Sequence, residues 1–150
     1  MVKVHIQTLE NYIDLPLPQY QSEQAAGLDL LAAVPQQQPV VLAAGTWAAI
    51  PCGIAIELPR GYEAQVRPRS GLALKNGITV LNAPGTIDAD YRGEIQVILI
   101  NHSKQDFLIE RGMRIAQMVI ASVEQAEWQK VEQLGSSQRS TGGFGSSGLK

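Results

Sequence analysis

Ala83-Pro84-Gly85-Thr86-Ile87-Asp88-Ala89-Asp90-Tyr91-Arg92-Gly93-Glu94 is the segment from which the fold is read. Apolar runs flank it, Ile78 to Leu81 before and Ile95 to Ile100 after. Two such runs joined by a turn-rich polar segment predict a β-hairpin with an elaborated loop. The loop carries two carboxylates, a tyrosine and an arginine, which can take a proton, stack on a sugar and pair with an anion. Chemistry on a rigid sheet is commonly placed on loops of this kind. Taken alone, the segment also reads as a solvated turn with scattered charge.

Working outward, the period of two continues. Val2, Val4 and Ile6 alternate with Lys3, His5 and Gln7, and Tyr62, Ala64 and Val66 alternate with Glu63, Gln65 and Arg67. Short apolar runs at 40–42, 46–50, 54–58 and 107–109 are separated by Gly45, Pro51, Gly53 and other turn residues, and Met113 to Ile120 makes a longer run. Repeated short strands with turn signals predict an all-β sandwich, jelly roll or barrel. Trp47 and Trp128 are expected as packing residues, and His5 and His102 as surface residues.

The pattern breaks at Arg67-Pro68-Arg69-Ser70-Gly71-Leu72-Ala73-Leu74-Lys75-Asn76-Gly77. Ser70 suits an N-cap, 72–75 suit a helix and Gly77 suits its end, so one short helix is expected here. A helix start with a serine hydroxyl and a neighbouring arginine suits phosphate oxygens. Asp29 stands inside the apolar run 25–33. An ionised carboxylate there must face water, a cation or a hydrogen-bond donor.

Composition bounds the partners. A chain of 150 residues is most simply one domain, and its formal net charge of -2 lacks the basic excess that nonspecific nucleic-acid binding needs. Cys52 is the only cysteine. That rules out an intrachain disulfide and a cysteine metal cluster, and a buried thiol is the simpler expectation. The first residues carry no secretory h-region and no apolar stretch approaches a membrane span, so a soluble cytoplasmic protein without membrane partners is expected.

From Gly135 onward the chain is rich in Gly and Ser, with Arg139 and Phe144 set among them. Such a segment builds no core by itself. It reads either as a frayed tail or as a lid, with arginine for phosphate and the ring for a base. The expected division is a β domain at 1–134 and a flexible arm at 135–150.

Together these segments resemble the trimeric dUTPase family over nearly the whole chain. Ala26-Gly27-Leu28-Asp29-Leu30, Pro68-Arg69-Ser70-Gly71-Leu72-Ala73, Gly85 through Gly93, Gly112-Met113-Arg114-Ile115-Ala116-Gln117 and Arg139 through Gly148 look like that family's five motifs in order. The resemblance implies a jelly-roll-like β-clip protomer, a homotrimer with three shared sites, and Mg2+-dependent hydrolysis of dUTP to dUMP and pyrophosphate. That reaction keeps uracil out of DNA and supplies dUMP for dTMP synthesis.

Carried onto this chain, the resemblance makes Asp88 the carboxylate that activates the attacking water and touches the sugar 3'-hydroxyl. Tyr91 would lie against deoxyribose and exclude a 2'-hydroxyl. Asn82, Gly85, Thr86 and Ile87 would meet the uracil edge, largely through main chain. Arg69, Ser70, Gly71 and Gln117 would hold the phosphates, while Arg139, Phe144 and Gly145 would close the site from a neighbouring subunit. Asp29 would act through water on the metal or triphosphate, with no direct protein ligand to Mg2+, and Arg114 would be structural. The chain departs from the pattern at Leu31, at Ser140-Thr141 and at Ser147. Two other readings stand beside this one: a dCTP deaminase of the same fold, and a catalytically idle binding module.

Overall fold

Around the opening segment the expected hairpin forms, but its loop serves two sheets. The computed structural model describes residues 1–143. Strand β7 (Ile78–Val80) pairs antiparallel with β9 (Gln96–Asn101), Thr79 opposite Ile100. Between them the chain leaves that sheet, and β8 (Gly85–Ile87) pairs with β6 (Tyr62–Arg67), Thr86 opposite Gln65. Gly85 permits this crossing. A Cβ there would sit 3.2 Å from Asn82 Nδ2 and 3.4 Å from Val66 Cβ, so backbone and neighbour approach closely.

Every strand pairing among the described residues is antiparallel. β2 (Leu28–Leu31), β11 (Arg114–Ser122), β6 and β8 lie side by side in that order, and β4 (Trp47–Pro51), β9 and β7 form a second sheet. Two ribbons complete the fold: β1 (His5–Thr8) with β5 (Ile54–Glu57), and β3 (Val40–Leu42) with β10 (Phe107–Ile109). Alternation decides which residues turn inward. Leu30, Ala64, Val66, Ala116 and Met118 from the four-stranded sheet join Ile50, Ile78, Val80, Val97 and Leu99 from the three-stranded sheet in one buried cluster. Truncating any one large aliphatic residue there, Leu99→Ala for instance, costs about 2–5 kcal/mol. The all-β, jelly-roll-like expectation therefore stands.

The polar core residue Asn101 was not anticipated. It is fully buried, its Nδ2 donates to the carbonyls of Leu42 (2.9 Å) and Gln105 (2.8 Å), and its Oδ1 accepts from the Ser103 amide (2.9 Å). With all its polar groups engaged, burial carries little penalty.

Three local expectations need correction. The first strand runs His5–Thr8 rather than from Val2, because β5 supplies partners only for those four residues. In the helix α1 (Ser70–Asn76) Arg69 takes the cap position, at φ -93° and ψ 126°, and Ser70 is the first helical residue. Gly77 ends it as expected, at φ 65°, its amide donating to Ala73 O at 3.1 Å. Trp47 and Trp128 are 64% and 93% exposed. Trp47 opens β4 on the outward side of the alternation and Trp128 follows the last strand, so neither packs within this chain. No helix among the described residues is long and apolar enough to cross a membrane.

Candidate active site

β8 carries its alternation into the loop: Gly85 and Ile87 are buried, Thr86 and Asp88 exposed. Asp88 to Tyr91 form a turn closed by the Tyr91 amide donating to Asp88 O at 3.1 Å. Arg92 ties it from outside, donating through Nη1 to Ala89 O (2.7 Å) and Tyr91 O (2.9 Å), and pairing through Nη2 with Glu57 Oε1 (3.2 Å). Glu57 also accepts from His5 at 3.1 Å. Those two contacts, the His5 hydrogen bond first and the Arg92 charge next, hold the Glu57 carboxyl below its usual range.

The Tyr91 ring lies directly over Gly93, where an added Cβ would stand 2.6 Å from Cζ. Its hydroxyl donates to Glu94 O at 3.0 Å. Tyr91, Asp88 and Thr86 line a slot of about 270 Å³ together with Ala49, Glu94, Gln96 and Ile98. Thr86 and Asp88 also line a wider cleft of about 900 Å³, together with Arg60, Glu63 and Glu124. Asp88 thus stands in water beside a shaped slot. Asn82 is exposed, and its side-chain nitrogen lies beside Gly85.

The other candidate residues gather elsewhere on the same sheet. Asp29 on β2 pairs in register with Gln117 on β11, which pairs in turn with Arg67 on β6. Asp29 is buried, its Oδ1 lying 3.2 Å from Arg69 Nε and its Oδ2 3.4 Å from Arg114 Nη1. Arg69 Nη1 also donates to Arg114 O at 3.1 Å. Of the choices open in the sequence, Asp29 faces cations. Its Oδ1 makes no well-aligned hydrogen bond, so it keeps capacity for a further donor such as water. Ser70 and Gly71 are exposed at the start of α1, with open space where a Gly71 Cβ would point.

These two clusters do not meet within one chain. Neither cavity beside Asp88 includes Asp29, Arg69, Ser70 or Gln117. Gln117 is opposite Arg67 and Ile87 opposite Ala64, which separates them by two strands across and three residues along. That amounts to roughly 14 Å. Arg139 is exposed, and its Nε donates to Gly142 O at 2.8 Å within its own turn. Phe144 and Gly145, with Ser147, lie outside the described residues.

Among the described residues no three His, Cys, Asp or Glu side chains converge to cage a metal. A magnesium ion held mainly by substrate phosphates and water needs no such cage. The unsatisfied oxygen of Asp29 fits a water-bridged contact of that kind. Cys52 is buried, and its thiol is pushed up to about 12 by burial and then by the Glu94 charge. At neutral pH the thiol is therefore held protonated and out of reach of solvent.

Glu94, Asn11 and Arg111 escaped the sequence reading. Glu94 Oε1 accepts from Asn11 Nδ2 and from the Gly53 amide, each at 2.8 Å. The one available signal was a carboxylate placed just before an apolar strand.

An antiparallel β scaffold displaying a carboxylate and a tyrosine on one hairpin, with arginines and a serine on another segment, is the equipment of a nucleotide-handling enzyme. The dUTPase family model matches residues 14–148. The chain is 58% identical over 149 residues to the deoxyuridine 5'-triphosphate nucleotidohydrolase of Maricaulis maris, covering 99% of this chain and 98% of that one. It belongs to the dUTPase family. Among solved structures it is similar to the dUTPase of Staphylococcus bacteriophage 80alpha with dUpNHpp, at 28% identity and TM-score 0.82 over 98% and 99% of the two chains. The dUTPase of S. aureus phage phi11 shares the fold at 24% identity and TM-score 0.77, over 89% of this chain and 99% of that one.

Proposed function

We propose that this chain hydrolyses dUTP to dUMP and pyrophosphate, with Asp88 as the catalytic carboxylate. The observation that carries this reading is the placement of Asp88, exposed at the end of β8 and bonded through its carbonyl to the amide of Tyr91. Asp88 orients a water and accepts its proton as the oxygen attacks the α-phosphorus. The bond from that phosphorus to the bridging oxygen breaks, and pyrophosphate leaves with the electron pair. Tyr91 covers the deoxyribose and leaves no room for a 2'-hydroxyl. The main chain through Gly85, Thr86 and Ile87, with Asn82, presents fixed donors and acceptors to the uracil edge. A cytosine amine there would leave buried groups unpaired, which supports rejection by up to about 10⁴-fold.

Arg69, Ser70, Gly71 and Gln117 take the phosphate chain, and Asp29 keeps the Arg69 guanidinium aimed. Asp29 would hold a bound Mg2+ through water, and the ion would supply charge neutralisation on the phosphate oxygens. Two half-sites roughly 14 Å apart in one chain support a homotrimer in which Asp88 of one subunit meets Arg69 and Gln117 of another. The arm at 135–150 then closes the site, through Arg139 on phosphate and Phe144 and Gly145 over the base, above a body at 1–134.

Pyrophosphate release measured with dUTP, dTTP, dCTP and UTP tests the reading. Turnover of dUTP alone is expected, and Asp88→Asn should abolish it while binding of an imido analogue persists. Vigorous hydrolysis of UTP or dTTP, or ammonia released from dCTP, would overturn it.

A further inference from the structure

Tyr91 does not fix its own position. Its ring rests on Gly93 and its hydroxyl bonds the Glu94 carbonyl, so the ring follows the backbone at 93–94. The Glu94 side chain ends on Asn11 Nδ2 and the Gly53 amide, both of which donate to its Oε1. Both of those anchors are themselves held. The carbonyls of Asn11 and Val34 each accept from Arg111 Nη1 at 3.0 Å, and Ile13 O accepts from Arg111 Nη2. Gly53, at φ 67°, is packed so closely that a Cβ would stand 3.0 Å from Ala33 Cβ and 3.1 Å from Tyr12 Cδ2. Backbone bonds continue the tie on either side, from the Ile95 amide to Ile54 O (2.8 Å) and the Cys52 amide to Ile95 O (3.0 Å).

The loop's outer tie is of another kind. Arg92 and Glu57 are both about half exposed, so water and salt screen that pair. Glu94 is half-buried, and one of its oxygens takes two charge-assisted hydrogen bonds of good length. Of the two restraints on the loop, the inner one is stiffer.

We propose that Glu94 is the positioning residue for sugar discrimination. Its carboxylate, pinned by Asn11 and Gly53, fixes the carbonyl that receives the Tyr91 hydroxyl and so holds the ring where a 2'-hydroxyl would have to enter. This rests on the reading above that Tyr91 covers the deoxyribose. A residue serving stability alone would lower the melting temperature on substitution and leave the ratio of kcat/KM for dUTP to that for UTP unchanged.

The test is that ratio, with thermal melting, for Glu94→Ala, Glu94→Gln, Asn11→Ala and Tyr91→Ala in the full chain. Glu94→Ala should lower the ratio by about 10-fold or more, chiefly by admitting UTP. Glu94→Gln should keep it, because the amide oxygen can still accept from both donors. Asn11→Ala removes one donor of the two and should lower the ratio by a smaller factor. It also serves if Glu94→Ala fails to fold. Should Tyr91→Ala collapse the ratio while Glu94→Ala and Asn11→Ala leave it within about twofold, the positioning role is wrong. Should Tyr91→Ala itself leave the ratio intact, the sugar-reading role beneath it is wrong.

Discussion

Asp29 Oδ1 and Arg69 Nε lie 3.2 Å apart, and the carboxylate is shared with Arg114 on its other oxygen. The carboxylate is buried, whereas the Arg69 side chain is 26% and the Arg114 side chain 51% exposed. Removing the shared anion leaves two guanidiniums side by side. Because both reach solvent, the loss should fall below that of a fully buried pair. Asp29→Ala is expected to cost about 1–3 kcal/mol in urea denaturation. It should also raise the KM for dUTP, since Arg69 loses its aim. A cost below about 0.5 kcal/mol would show an ordinary surface pair.

Gly93 is glycine because Tyr91 occupies the space where its Cβ would be. An added methyl at 2.6 Å from Cζ and 3.0 Å from Cε2 must push the ring aside. Gly93→Ala is therefore expected to lower kcat/KM for dUTP by about 10- to 100-fold through misplacement of the ring. The melting temperature should change little, because Tyr91 is exposed and adds little to the core. Unchanged turnover would mean that the ring sits elsewhere over the substrate.

How much of this was legible follows from range along the chain. The hairpin flanks, the antiparallel strands and the glycine end of α1 are local patterns, and these were legible in the sequence. β8 was not read as a strand of another sheet. Three residues with a single alternation look the same as a loop. Ser70 was placed one position early in the helix because Arg69 takes the cap with an extended backbone after Pro68. Asp29 was known to need a partner, but Arg69 and Arg114 lie far along the chain and no spacing rule links them. The same holds for Glu94 and Asn11, which meet across 83 positions. Trp47 was misplaced because composition does not say which face of a strand a residue takes, and Trp128 because it lies past the last strand.

The chain beyond Leu134 that is described makes only local bonds. Gly142 N donates to Arg139 O at 2.9 Å and Ser140 N to Ser137 O at 3.1 Å. Ending the chain after Gln138 therefore removes no core contact of the described residues. Turnover of dUTP should fall about 100-fold through lost positioning of the phosphate chain. The melting temperature should shift by no more than about 2 °C. Full turnover by the shortened chain would remove Arg139 and Phe144 from the proposed closure.

Cys52 gives a pH signature whose sign follows from its burial. Folding pushes the thiol up to about 12, burial first and the nearby Glu94 charge second. An unfolded thiol ionises near about 8.5, so above that pH the unfolded chain releases a proton that the folded chain retains. The contribution of this group is then complete below about pH 8.5 and is lost as pH rises toward about 12, at up to about 1.4 kcal/mol per pH unit. Tyr12, also raised by burial and then by Cys52, acts in the same direction but from an ordinary value of 10.0. The interval between about pH 9 and pH 10 therefore belongs mainly to Cys52. Urea midpoints across that interval should decline in the wild type and hold flatter in Cys52→Ala. At pH 8 the native thiol is buried and stays protonated, so iodoacetamide should spare it until denaturant is added. Prompt labelling of the native protein would contradict the burial and the pH slope together.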